Sequence, residues 1–281
     1  METPVTAPDL APRRAPAEVP NTSAAPAAPA AASPLVRYGN WLFRTRDAVF
    51  PLVLLGLFFA TRPHWPGNSE RADDLLDAAG FGVALAGQAL RAATVGYAYI
   101  IRGGRNRQVY AEELVTRGFF AHARNPLYVG NVLILLGLLV IWNAPPAYAV
   151  GVPFFLVGYV AIVAAEEAFL RRKFGAEYDA YARRVPRWVP RLDALGSLPR
   201  SMDGMAFNWR RVVLKEYGSA AYWVAGAFAL MLADSLGHEG YSWGTRPVYH
   251  AALAVGIAAV AGLWAWARYL KKSKRLREDV A

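Results

Sequence analysis

The fold turns on residues 125–175, NPLYVGNVLILLGLLVIWNAPPAYAVGVPFFLVGYVAIVAAEEAFLRRKFG. Two apolar runs lie inside it, Leu127 to Trp142 and Ala147 to Ala165, separated only by Asn143-Ala144-Pro145-Pro146. A helix that crosses a bilayer needs about 20 predominantly apolar residues, and the two runs approach that length. Asn and paired Pro cannot continue a helix and mark a tight turn. The stretch therefore predicts an antiparallel helical hairpin. Its two open ends, Asn125–Tyr128 and Glu166–Glu167, then meet at one membrane face.

Upstream, Leu75 to Ile101 reads as another span, with Gly80, Gly82, Gly87 and Gly96 permitting close helix approach. Before it, Ala48 to Ala60 reaches spanning length if Trp41 and Trp65 mark the two interfaces. Downstream come Ala220 to Leu236 and Val248 to Ala267. The expected fold is an all-α, polytopic helical membrane protein of about six transmembrane helices. Residues 1–34 form an Ala/Pro-rich tract that cannot build a core and reads as a disordered tail. Residues 35–200 hold a four-helix core with its polar segments, and 201–281 an extension of two spans.

Composition agrees. The chain is 55% hydrophobic and only 19% charged, against about 25% charged in soluble domains; its mean hydropathy is +0.19. The net charge of +10 sits beside apolar segments rather than on a soluble face. That pattern points to membrane lipids as partners and away from nucleic acid. Arg37, Arg44 and Arg46 precede the first span, and Arg102, Arg105, Arg107, Arg117 and Arg124 lie between the second and third. A third basic group runs from Arg171 to Lys215, and a fourth closes the chain. The opposite loops carry little more than Arg62, Arg71 and Arg246. The positive-inside rule places both termini and the two long polar segments in the cytoplasm of a bacterial-type inner membrane. The chain has no cysteine, which excludes disulfides and thiolate metal sites. Its four His (His64, His122, His238, His250) are scattered, so no metal centre is expected.

Chemistry-bearing residues gather in the two cytoplasmic segments. Asn125–Tyr128, at a Pro-started helix with free backbone N–H groups, should face the carboxylates of Glu166 and Glu167. Such a place suits a small ligand carrying cationic and hydrogen-bonding groups. Alternatively, Glu167 pairs with Arg171 at i,i+4 and Glu166 is merely solvated; the residues alone favour this second reading. Gln88 and Arg91 lie within the second span, where an ionisable group is a functional candidate. Arg91 either contacts substrate or pairs with a neighbouring helix. His122 is either a base near the pocket or a surface loop residue. Asp234 reads as a loop boundary.

The ordered series LVTRGFFAHARNPLYVG (114–130), apolar hairpin, EEAFLRRKFGAEYDAYARRVPR (166–187) resembles the isoprenylcysteine carboxyl methyltransferase / phospholipid methyltransferase superfamily. That family's pattern is an LVTxGxY segment, an R-[HN]-P-x-Y-x-G turn, and EExxLxxxFGxxYxxYxxxVPR after a hairpin. The resemblance implies a membrane enzyme that transfers methyl from S-adenosylmethionine to a lipid-like or small apolar acceptor carrying a carboxylate, amine or thiol. It further implies that Asn125, Pro126, Leu127 and Tyr128 line the cofactor pocket with Leu114, Val115 and Phe120. Glu166 would bind the cofactor, Glu167 would support it, and Arg105 would add a polar contact. A sulfonium and an ammonium both favour a nearby carboxylate. The chain departs from the pattern in three places. Asn125 replaces a frequent His, which removes a group able to titrate near neutral pH. Phe120 replaces a Tyr. Ile162 stands where prenylcysteine enzymes carry an Arg. Two other readings stand beside this one: an NADPH-dependent reductase of the steroid 5α-reductase type, and a non-catalytic membrane scaffold protein.

Overall fold

The computed structural model describes residues 33–98, 109–190, 196–238, 240 and 242–273. Among them are eight α-helices and no strand. The helices are α1 (Pro34–Ala60), α2 (Glu70–Tyr97), α3 (Pro126–Trp142), α4 (Pro145–Phe174), α5 (Ala176–Arg184), α6 (Leu198–Ser201), α7 (Trp209–Gly237) and α8 (Pro247–Lys272). Residues from Ser33 onward form one compact unit. Three helices, α4, α7 and α8, are long and apolar enough to cross a membrane, and α3 is a shorter apolar helix. Helices α1 and α2 are long, at 27 and 28 residues, but carry charged residues along part of their length. The chain is an all-α, polytopic membrane protein.

Local sequence sets the helix ends. Pro34, Pro126, Pro145 and Pro247 each occupy a first helical turn, where a missing N–H costs nothing. Helix α3 ends on Asn143 at φ 42°, ψ 48°, a left-handed conformation that Asn tolerates better than most residues. The Asn143 amide donates to the His64 carbonyl and accepts from the Tyr148 hydroxyl, so the turn is tied to both neighbouring elements.

Close packing follows the glycines. Gly80 of α2 lies against Gly137 of α3, and Gly87 against Gly130. A Cβ placed on Gly87 would stand 2.6 Å from the Gly130 carbonyl oxygen. The seven-residue spacing on both helices makes the pair antiparallel, with backbones touching at both crossings. Gly39 of α1 meets the Ala161 carbonyl of α4 in the same way. The tight pairs are thus α2–α3 and α1–α4. The two arms of the expected hairpin, α3 and α4, are antiparallel but touch each other sparsely. Between them runs a small apolar cleft lined by Val132, Leu135, Leu136, Leu139, Val152, Phe155 and Leu156.

Helix α7 packs on α2 and α3, and α8 on α7. Phe81 of α2 stacks on Phe228 and tilts against Trp223, both of α7. Asp234 is not a loop boundary. It is buried inside α7 and accepts the Trp65 indole N–H at 3.0 Å, while Trp65 stacks on His238 at 3.7 Å. Arg246 reaches Asp74 and Glu70 at the start of α2. Val248, Val255, Leu263, Trp266 and Tyr269 leave α8 with an exposed apolar face, as a hydrocarbon environment requires.

Candidate functional site

The start of α3 and the last third of α4 lie at the bundle end at which Arg and Lys concentrate, and the middle of α1 packs beside them. There the Tyr128 hydroxyl donates to Glu166 Oε1 at 2.7 Å, and Arg46 Nη1 of α1 donates to the Tyr128 oxygen at 2.8 Å. Three helices thus close an Arg46–Tyr128–Glu166 array. Tyr128 sits in the first turn of α3 because Pro126 starts that helix, and Glu166 lies near the end of α4. Only one Glu166 oxygen is taken by Tyr128, so the other is left able to receive a cation or an N–H donor.

Arg46 escaped the sequence reading, which counted it among the basic residues preceding the first span. The signal lay in its register. Leu42, Phe43 and Phe50 form the buried face of α1, and Arg46 falls between them at helical spacing. Arg44 lies on the exposed side. The Arg46 guanidinium also lies over the Phe43 ring at 4.3 Å, a cation–π contact that holds it in the array.

Glu167 does something different. Successive helical residues diverge by about 100°, and Glu167 turns into the protein, 2% exposed. It meets Arg187 in a two-pronged pair (3.0 and 2.6 Å), Arg124 at 3.0 Å and Arg171 at 3.7 Å. The i,i+4 pair with Arg171 exists but is the longest of the three. The hydrogen bonds that Arg187 donates to Glu167 raise the Arg187 pKa. Asn125 joins the same knot, its amide donating to the Arg187 carbonyl at 3.0 Å.

The preceding segment packs mainly elsewhere. Leu114 contacts the cluster of Tyr178, Tyr181 and Val185 around α5. The Phe120 carbonyl accepts from the Tyr181 hydroxyl at 2.8 Å. Burial pushes the Tyr181 pKa well up, so that hydroxyl remains a donor across the working pH range. Val115 is half-buried beside Leu114. Pro126 is buried and Leu127 half-buried at the start of α3. Arg105 lies outside the described residues. Ile162 is fully buried among Leu42, Phe43, Phe50, Phe155 and Tyr159, so the position where prenylcysteine enzymes carry an Arg belongs here to the α1–α4 core. Arg91 resolves toward pairing: it forms a two-pronged ion pair with Glu216 of α7. His122 is buried, with Nε2 on Ser201, so the surface-loop reading does not hold.

Chemically, the end of the bundle offers one half-engaged carboxylate, a phenol and several guanidiniums. The Arg124 Nε and His122 Nδ1 atoms are buried and meet no hydrogen-bond partner among the described residues. Unsatisfied buried polar atoms are uncommon in folded proteins and call for an explanation. A ligand with a carboxylate for the guanidinium and a cationic group for Glu166 would supply one, and an amino-acid zwitterion of the S-adenosylmethionine kind has both.

Comparison with known proteins places this site in context. The phospholipid methyltransferase family matches residues 81–177, from mid-α2 into α5. A nickel-cobalt-cadmium resistance protein, NccN, of Alcaligenes xylosoxydans xylosoxydans is 33% identical over 170 residues, covering 60% of this chain and 74% of the relative. A cobalt-zinc-cadmium resistance protein, CzcN, of Cupriavidus metallidurans is 35% identical over 160 residues, 54% of this chain and 67% of the relative. No solved structure matches significantly. The matched segment contains Tyr128, Glu166 and Glu167 with the hairpin between them, and the chain belongs to the phospholipid methyltransferase family, within the isoprenylcysteine carboxyl methyltransferase / phospholipid methyltransferase superfamily.

Proposed function

We propose that this chain is an integral membrane methyltransferase that takes its methyl group from S-adenosylmethionine and delivers it to a lipid-like acceptor, working at the cytoplasmic face. The observation that carries this reading is the Arg46–Tyr128–Glu166 array, inside a family-matched hairpin and beside an apolar cleft. The charge asymmetry of the loops supports the cytoplasmic assignment.

Glu166 would receive the cationic part of the cofactor, held in place by the Tyr128 hydroxyl. Arg124 would receive its carboxylate. Leu127 and the hydrophobic wall of α3 would exclude water. Bound S-adenosylmethionine supplies an already activated methyl group, so the protein's contribution is positioning and desolvation. Val132, Leu135 and Phe155, which pack in one apolar cluster with Tyr128, would form the wall against which the apolar part of the acceptor lies, leaving its nucleophile near Tyr128. The two relatives are named for resistance to nickel, cobalt, zinc and cadmium. That context extends the proposal to methylation of a membrane component under exposure to such cations.

Calorimetric titration of the detergent-purified protein with S-adenosylmethionine and NADPH tests the reading. We expect S-adenosylmethionine to bind, and Glu166→Gln to weaken it at least about tenfold, ~1.4 kcal/mol. Unchanged affinity in that variant would move the cofactor site elsewhere, and tight NADPH binding without any response to S-adenosylmethionine would favour the reductase. Tyr128→Phe removes the hydroxyl's hydrogen bonds to Glu166 and from Arg46; with the one that orients Glu166 worth ~1 kcal/mol, a loss of at least roughly fivefold is expected by the same measurement. The acceptor is identified by incubating a lipid extract with methyl-labelled cofactor and resolving the labelled product by mass spectrometry.

A further inference from the structure

A second polar layer lies one to two helical turns deeper in the bundle than Glu166, and it reaches beyond the family-matched segment. Arg91 of α2 and Glu216 of α7 are 6% and 3% exposed. Arg91 Nε donates to Glu216 Oε2 at 3.0 Å and Nη2 to Oε1 at 3.1 Å. Gln88 donates to the same carboxylate at 3.1 Å and accepts from the Trp223 indole at 3.0 Å. The third arm of the guanidinium, Nη1, donates to Asn131 of α3. The Asn131 amide in turn faces the hydroxyl of Tyr159 of α4. The Tyr159 ring lies 5.5 Å from that of Tyr128, whose hydroxyl holds Glu166. A line of polar and ring neighbours thus leads from α7 toward the candidate cofactor carboxylate.

Helix packing alone does not account for this layer. The α2–α7 contact already has Phe81 on Trp223 and Phe228. A buried ion pair seldom stabilises more than apolar residues of like volume would, and an ionisable group inside a membrane is expensive to keep. A guanidinium does offer a rigid planar fork. With two arms fixed by Glu216, the direction of the third is set, and with it the Asn131 amide and the Tyr159 hydroxyl. The Arg91 stem crosses Gly130, where a Cβ would come within 2.6 Å of Arg91 Cγ. The glycine of the R-N-P-x-Y-x-G turn thereby admits this arginine.

We propose that Glu216 is a positioning residue for the methyl-transfer site, acting through Arg91 and Asn131 on the Tyr159–Tyr128 pair that holds Glu166. This gives the C-terminal helices α7 and α8 a part in the site, and it rests on the cofactor reading above. The test uses the full chain in detergent and calorimetric titration with S-adenosylmethionine. Three proteins are compared with wild type: Arg91→Gln with Glu216→Gln, which removes both charges of this pair; Arg91→Lys, which keeps the charge and loses the fork; and Asp74→Asn with Arg246→Gln, which removes the Arg246 ion pairs at the far end of α2. The first two are expected to bind at least about fivefold more weakly, while the third keeps wild-type affinity. A folded first variant with wild-type affinity overturns the proposal, because the pair is then only a packing element. If that variant does not fold, Arg91→Lys decides: lost affinity supports positioning by the fork, and unchanged affinity overturns it. Failure of the wild type to bind S-adenosylmethionine would overturn the cofactor reading and this proposal with it, an outcome distinct from wild-type binding that the variants leave unchanged.

Discussion

Glu167→Gln is expected to lower the melting temperature by roughly 6–12 °C, the equivalent of about 3 kcal/mol in a chain of this size. Three guanidiniums converge on this carboxylate, which is 2% exposed. Removing one partner of a buried ion pair costs about 3–5 kcal/mol, because the remaining charge stays buried without compensation. The lower end applies here, since the Arg171 and Arg187 side chains are 46% and 39% exposed and can turn to water. Arg124 cannot, at 12% exposed, and it bears most of the loss. Its backbone also donates to the Pro186 carbonyl at 2.9 Å, so the segment before α3 and the segment after α5 should loosen together. Circular dichroism melts give the stability, and limited proteolysis should open new cleavage at residues 109–125 and 185–190. A melting temperature within about 2 °C of wild type would mean that the three arginines find water at little cost. The neighbouring variant Glu166→Gln should show the opposite profile, a nearly unchanged melt with lost cofactor affinity. Two adjacent glutamates then separate into one that holds the fold and one that faces the ligand.

That separation was not legible in the sequence, because an adjacent pair at a helix end gives no sign of which member turns inward. The deciding partner of Glu167, Arg187, lies twenty positions away, beyond α5. Much of the framework was legible. Long apolar runs and paired prolines fix α3 and α4, since backbone groups in hydrocarbon must be satisfied within a helix. Of the glycines that the sequence marks for close approach, Gly80 and Gly87 meet the α3 backbone, whereas Gly82 on the other side of α2 meets nothing within 4 Å. Helical register distinguishes them only once the partner helix is known. The short Asn143–Pro146 turn predicts an antiparallel hairpin with its open ends together, and Tyr128 does meet Glu166, but the turn does not tell how closely the two arms pack along their length. Glycines on α2 and α1 offered closer backbone contact and drew the two arms apart. Arg46 is visible as a residue but not as a site member, and Arg91 is visible as a functional candidate but without its partner. Positive charge near a span end has an ordinary topological cause, and Glu216 lies far along the chain in a stretch that reads as interfacial.

Gly130→Leu should severely damage the α2–α3 pair, costing at least about 3 kcal/mol, the upper end of the overpacking range. The Cβ alone would come within 2.7 Å of the Gly87 carbonyl oxygen and 2.6 Å of Arg91 Cγ, and a longer side chain finds no outlet. The Arg91 stem is flexible, but Gly87 is helix backbone and can yield only if α2 and α3 separate. Separation would also release the second crossing, where a Cβ on Gly80 meets the Gly137 carbonyl oxygen at 2.7 Å. Apolar surface gives helices in lipid little drive to associate, so backbone proximity at small residues carries much of their packing. Losing both crossings therefore removes most of what holds α2 to α3. Gly82→Leu on α2 is the matched control: same helix pair, same change, open space, and an expected shift in melting temperature near zero. If the two variants melted alike, the crossings would not be the source of the α2–α3 attachment. If only Gly130→Leu fails, the last glycine of the R-N-P-x-Y-x-G turn is there for two backbones and one arginine stem, rather than for a ligand.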